Sequence, residues 1–143
     1  MKFSGRLLGL DLGRKRVGVA VSDETATIAS PLITITIAGK RDLAGKVKAL
    51  VAEHQAVAVV VSRPSRLDRS DTDFSSIARK IKIYLEEHLS VPVHQYDERL
   101  TSKMAQRAIH DSGRKLKGSK NDLDKVAAAI MLADFLKKHH DPR

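Results

Sequence analysis

The stretch Leu7-Leu8-Gly9-Leu10-Asp11-Leu12-Gly13-Arg14-Lys15-Arg16-Val17-Gly18-Val19-Ala20-Val21-Ser22 decides the reading of this chain. Residues 6–12 form an apolar run closed by Asp11-Leu12-Gly13, the pattern of a buried strand. Gly13-Arg14-Lys15-Arg16 is a turn. Residues 17–22 form a second strand, which Asp23-Glu24 ends with turn chemistry. Residues 31–37 alternate with β-branched side chains and read as a third strand. Three strands on short links predict an antiparallel meander.

The pattern then changes period. Leu43, Val47, Leu50 and Val51 recur at helical spacing, so residues 41–54 are expected to be a helix. Residues 57–61 are a continuous run of Val and Ala, hence a buried strand that stops at Ser62-Arg63-Pro64. Phe74, Ile77, Ala78, Ile81 and Leu85 place a second helix at about 72–89. Residues 91–96 are a fifth strand. A third helix is expected after Asp97-Glu98-Arg99-Leu100, with Thr101 as its N-cap. A basic stretch with two glycines, 112–121, precedes a last helix at about 122–138. The order β-β-β-α-β-α-β-α-α predicts an α/β fold: a mixed five-stranded sheet, meander plus two parallel strands, with helices on both faces. No repeat or linker divides the chain. Its 143 residues read as one domain, since domains run to roughly 100–200 residues.

Composition removes several classes of function. There is no cysteine, so a disulfide scaffold, a thiolate metal site and a cysteine nucleophile are excluded. Aromatic residues are 3% of the chain, too few for a module that stacks bases on aromatic platforms. The excess of 26 Lys and Arg over 17 Asp and Glu leaves a net charge of +9, which suits a polyanionic partner. No apolar run approaches the length of a membrane span, and the expected location is the cytoplasm.

Against that basic background, acids stand at three structurally similar places. Asp11 closes an apolar strand, where an ionised carboxylate is costly without a partner. Asp97 and Glu98 follow the fifth strand. Asp124 sits near the start of the last helix, ahead of Val126-Ala127-Ala128-Ala129, whose small side chains let a helix lie close to a sheet. Asn121 and Asp122 compete for the cap of that helix. The bland readings are turn aspartates and helix N-terminal acids stabilised by the dipole. Gathered at one sheet edge, the acids would instead need a divalent cation. An all-oxygen donor set suits Mg²⁺ or Mn²⁺, and such ions activate water against a phosphodiester. His54, His88, His94, His110 and the tail pair His139-His140 have no spacing that demands a metal. Arg14, Lys15 and Arg16 in the first turn, with Arg114, Lys115, Lys117 and Lys120 before Asp124, are candidates to hold a phosphate backbone.

Leu10-Asp11-Leu12-Gly13, Arg16-Val17-Gly18-Val19-Ala20-Val21-Ser22-Asp23, Ser30-Pro31-Leu32, Asp97-Glu98-Arg99-Leu100-Thr101 and Asp124-Lys125-Val126-Ala127-Ala128 together resemble the YqgF family, also called RuvX. The resemblance runs in order over about residues 6–136. It implies an RNase H-like fold and divalent-metal hydrolysis of phosphodiester bonds, hence a hydrolase acting on ester bonds. It also implies a role in maturing the 5′ end of 16S rRNA, and a site at Asp11, Glu98 and Asp124, with Asp97 in place of Glu98 if the register turns it inward. One segment departs from the family pattern. Where the family has Gly-Leu-Pro and then an Asp-Gly pair, this chain has Ser62-Arg63-Pro64 and Asp68-Arg69. The lost glycines remove backbone freedom, and Arg63 adds a cation for phosphate.

Four functions compete at this point. Structured RNA as substrate is favoured. A resolvase cutting branched DNA as a dimer uses the same fold, and the sequence leaves monomer or homodimer open. A non-catalytic RNA-binding assembly factor would not need the acidic trio. An ATPase, raised by Asp-x-Gly, would need two such domains.

Overall fold

The computed structural model describes residues 3–62, 72–96 and 120–139. Five strands are present: β1 (Leu7–Leu12), β2 (Arg16–Ser22), β3 (Ala29–Thr36), β4 (Ala58–Ser62) and β5 (Val93–Tyr96). The helices among the described residues are α1 (Lys40–His54), α2 (Thr72–His88) and α3 (Lys120–Lys138). The sheet order is β3-β2-β1-β4-β5. β1, β2 and β3 pair antiparallel, while β4 lies parallel to β1 and β5 parallel to β4. This is the expected meander plus two parallel strands, because helical crossovers return the chain to the same sheet edge. The helix expected after Thr101, the segment 97–119 and Arg63 lie outside the described residues.

Side-chain alternation sorts the sheet into two cores. Leu8, Leu10, Leu12, Val17, Val19, Val59 and Val61 pack with Leu43, Val47, Ala78, Ile81 and Leu85 of α1 and α2. Leu7, Ala20 and Val60 pack on the opposite face with Ala128, Ala129, Met131, Leu132 and Phe135 of α3. β1 is central and covered on both sides, so it carries a nearly unbroken apolar run. No helix among the described residues is long and apolar enough to cross a membrane.

Element ends differ from the sequence reading in three instructive places. β3 starts at Ala29 rather than residue 31, because Ala29 and Ser30 pair with Ser22 and Val21 and an edge strand tolerates Pro31. β5 starts at Val93 rather than residue 91, since Pro92 has no N–H for a ladder; its carbonyl instead accepts the Val59 N–H at 3.0 Å. α3 starts at Lys120 rather than residue 122, so Asn121 and Asp122 lie inside the helix and are not its cap.

α3 comes unusually close to the sheet, and glycines explain how. A Cβ on Gly9 would lie 3.0 Å from the Leu132 Cβ. A Cβ on Gly18 would lie 1.9 Å from the Asp124 carbonyl oxygen, a distance no atom pair survives. The small-residue row Gly9, Gly18 and Ala20 forms a trough on the α3 face, and α3 beds its Ala128 side into it.

Candidate active site at the end of the first strand

Leu8, Leu10 and Leu12 face α1 and α2, so strand alternation turns Asp11 to the α3 face. Its ladder partner is Gly18. The main chain of Asp124 lies directly over that glycine. The ladder and the glycine trough thus bring together two carboxylates separated by 113 residues of sequence.

The electrostatics register this closeness. Burial, reinforced by the Asp124 charge, pushes the Asp11 carboxyl up from an ordinary 3.8 to about 6. A hydrogen bond from the Ser62 hydroxyl opposes the rise. That hydroxyl also accepts the Leu12 N–H at 2.9 Å, so Ser62, buried at the end of β4, ties the tip of β1 in place. Asp11 thus has the Ser62 hydroxyl as a partner. Asp124 differs. The Arg16 Nε donates to its Oδ2 at 2.8 Å in a partly exposed ion pair.

These two carboxylates are a hard-oxygen donor pair whose charge is only partly compensated. That is the chemistry of a divalent-cation site, and the residues fit such an ion. Among the described residues no third Asp, Glu, His or Cys joins them to make a group of three. Glu98 and Asp97 lie outside the described residues. Arg14 and Lys15 are exposed in the β1–β2 turn, whose Lys15 carbonyl accepts the Ile37 N–H at 2.8 Å. Arg114, Lys115 and Lys117 lie outside the described residues, and Lys120 opens α3.

Sequence reasoning misses two contributors, Gly18 and Ser62, and the partner of a third, Arg16. Gly18 is the seat of α3, a role legible only from its pairing with Asp11. Ser62, where the chain departs from the family pattern, holds both β1 and the Asp11 carboxylate. Arg16 stands among the turn cations, and its immediate partner is Asp124. The tail reading of His139 needs correction: its N–H donates to the Phe135 carbonyl at 3.1 Å and its ring lies 4.2 Å from the Phe135 ring. Phe3 and His94 complete that cluster, and burial lowers the pKa of both histidines. They serve as aromatic packing residues.

The Arg16 pair makes a measurable claim. Arg16→Gln leaves the Asp124 charge uncompensated, so Asp11 is expected to titrate still higher than about 6. A carbon-detected NMR titration of the Asp11 carboxyl in metal-free protein checks this. An unchanged or lowered pKa would mean that Arg16 does not balance the pair.

A family model described as "RuvX: Holliday junction resolvase" matches residues 5–138. A protein of Koribacter versatilis named "Putative pre-16S rRNA nuclease" is 33% identical over 134 residues, covering 94% of this chain and 88% of that protein. One of the same name from Chloroflexus aggregans is 36% identical over 136 residues, covering 95% of this chain and 96% of its own. Among solved structures, Thermus thermophilus RuvC in complex with a Holliday junction substrate superposes with a TM-score of 0.57 at 17% identity, covering 94% of this chain and 96% of that one. That likeness establishes the fold as RuvC-like, of the RNase H type.

Proposed function

The chain belongs to the RuvX family, and from that premise we propose that it is a metal-dependent nuclease that hydrolyses phosphodiester bonds in structured RNA, in the 5′-end maturation of pre-16S rRNA. The observation that carries the reading is the pairing of Asp11 with Gly18 beneath Asp124, which brings two carboxylates together at the end of the central strand of a basic protein.

In this reading Asp11, Glu98 and Asp124 hold Mg²⁺ or Mn²⁺. The bound ion supplies electrophilic polarisation of the phosphate and activation of water. The chain's own residues do the rest. Ser62 and the β1 ladder orient Asp11. Arg16 holds Asp124 by a charge-assisted hydrogen bond. Arg14 and Lys15 beside the site, with Arg63, Arg114, Lys115, Lys117 and Lys120, take the phosphate backbone of the substrate.

The deciding experiment offers a precursor 16S rRNA fragment and a four-way DNA junction side by side, with Mg²⁺, Mn²⁺, Ca²⁺ or excess chelator. Cleavage of the RNA with Mg²⁺ or Mn²⁺ is expected. Ca²⁺ is expected to bind without supporting turnover, because its larger, more flexible coordination relaxes the geometry that displacement needs. Full activity in chelator would overturn the metal assignment. The family description favours a second reading, a DNA junction endonuclease, and cleavage confined to the junction would establish it in place of the first.

A further inference from the structure

On the face of the sheet opposite Asp11, the β1–β2 turn, the start of α1 and the first half of α2 border an open cavity of about 360 Å³. Its walls include Arg14, Lys40 and Lys80, together with Ile37, Ile77 and Ile81. Three cations from three separate elements thus stand around an isoleucine floor, and the Lys40 Nζ also lies 5.0 Å from the centroid of the Tyr84 ring. Ile37 and Ile81 belong to the core, and Ile77 is 43% exposed, so its side chain is open to a ligand at the cavity mouth. Asp42, two residues after Lys40, accepts the Ala38 N–H at 2.9 Å and the Lys46 Nζ at 3.1 Å, and Asp11 lies on the opposite face of the sheet.

The chemistry of this cavity is amphiphilic, with an apolar floor under a cationic rim. A nucleotide has the complementary chemistry, since a base offers a broad apolar face and its phosphate a negative charge. The volume is within the range of pockets that take small organic ligands, about 300–1,000 Å³. Its position also fits. Gly13 lines the cavity and is two residues from Asp11, at most about 7 Å of chain. A strand crossing the β1–β2 turn therefore passes from the carboxylates on one face to the cavity on the other. A base paired in a duplex cannot turn into such a concavity, whereas an unpaired one can.

We propose that this cavity binds one unpaired nucleotide of the substrate strand flanking the cut, with its base on Ile77 and its phosphate held by Arg14, Lys40 and Lys80. The inference rests on the nuclease reading for its substrate class. It goes beyond that reading by requiring a single-stranded flank next to the cleaved bond.

The test compares binding of a blunt RNA hairpin with the same hairpin carrying a short single-stranded tail, by fluorescence anisotropy. The Asp11→Asn protein is used so that no strand is cut, and a DNA hairpin pair is run in parallel. The tail is expected to tighten binding about tenfold, the worth of one or two added phosphate contacts and an apolar base contact. Lys40→Ala with Lys80→Ala, and separately Ile77→Asp at its exposed position, should reduce that advantage to within about twofold while blunt-hairpin affinity stays within about twofold of the parent. Absence of a tail advantage, or equal losses on blunt and tailed hairpins, would overturn the pocket. Its failure is separable from that of the nuclease reading. Cleavage by the unmutated protein without any tail effect removes the pocket alone. A pocket-dependent tail effect without cleavage supports the pocket and removes the nuclease assignment.

Discussion

Asp11→Asn is expected to cut the cleavage rate on the order of 10³-fold and yet leave the metal-free protein at least as stable as the unmutated one. The rate falls because a ligand carboxylate becomes a neutral amide of nearly the same shape. The stability follows from linkage. The Asp11 carboxyl is raised from 3.8 to about 6 in the folded protein, so the fold favours its neutral form. Folding then takes up a proton between these two values. The group's penalty is absent below about pH 4, grows as pH rises through about 6, and is constant above that. A shift of this size costs on the order of 1–3 kcal/mol at neutral pH. Asparagine carries no such penalty. In chelator, the variant should therefore melt higher than the unmutated protein at pH 7–8, and the difference should vanish toward pH 4. If Asp11 were only a turn or capping residue, the sign would reverse, with a loss of about 0.5–2 kcal/mol. A clear drop in melting temperature with cleavage retained would sink the catalytic assignment.

Gly18→Ala should have the largest effect on stability of any single methyl addition among the described glycines. Its new Cβ would meet the Asp124 carbonyl oxygen at 1.9 Å and the Lys125 nitrogen at 2.8 Å, both backbone atoms that cannot rotate away. Either α3 lifts from the sheet or β2 bends, and the expected cost is about 3 kcal/mol or more. Urea unfolding measures it. Because the same contact carries Asp124 to Asp11, the Asp11 pKa should also move back toward its ordinary value in whatever folded protein remains. Gly45→Ala is the internal control. It lies in the middle of α1 with open space around its Cβ direction, and should be neutral or stabilising by about 0.5–1 kcal/mol. Wild-type stability in Gly18→Ala, with the Asp11 titration unmoved, would show that α3 is not seated on that glycine.

Much of this architecture was legible from local pattern. The run at 6–12, the β-branched run at 57–61 and the period change at Leu43 each report how one element meets a core, and burial of apolar surface acts residue by residue. Asp11 was legible as a candidate for a related reason: a carboxylate ending a strand that is otherwise buried has to be explained. Asp124 was legible more weakly, through the alanines that follow it. The helix expected to begin at residue 122 showed the limit of such signals. Asn121 and Asp122 have the chemistry of caps, but the chain continues the helix through them from Lys120.

The order of elements, the meander with its parallel extension, the basic character of the chain and the identity of the acids are all legible along the chain. These depend on short-range periodicity and on composition, which need no partner to be read. Which residues meet is settled only when the sheet and α3 assemble. Nothing local in Val17-Gly18-Val19 says that a backbone carbonyl 106 residues later will rest on Gly18, or that Arg16 will reach Asp124. Nothing in the run ending at Ser62 says that its hydroxyl will serve both the Leu12 N–H and the Asp11 carboxylate. Those contacts are set by the strand register of β1 against β2 and by the close packing of α3 on the glycine trough. Register and packing are properties of the assembled sheet, because each depends on the shapes of residues that become neighbours only after the chain has folded.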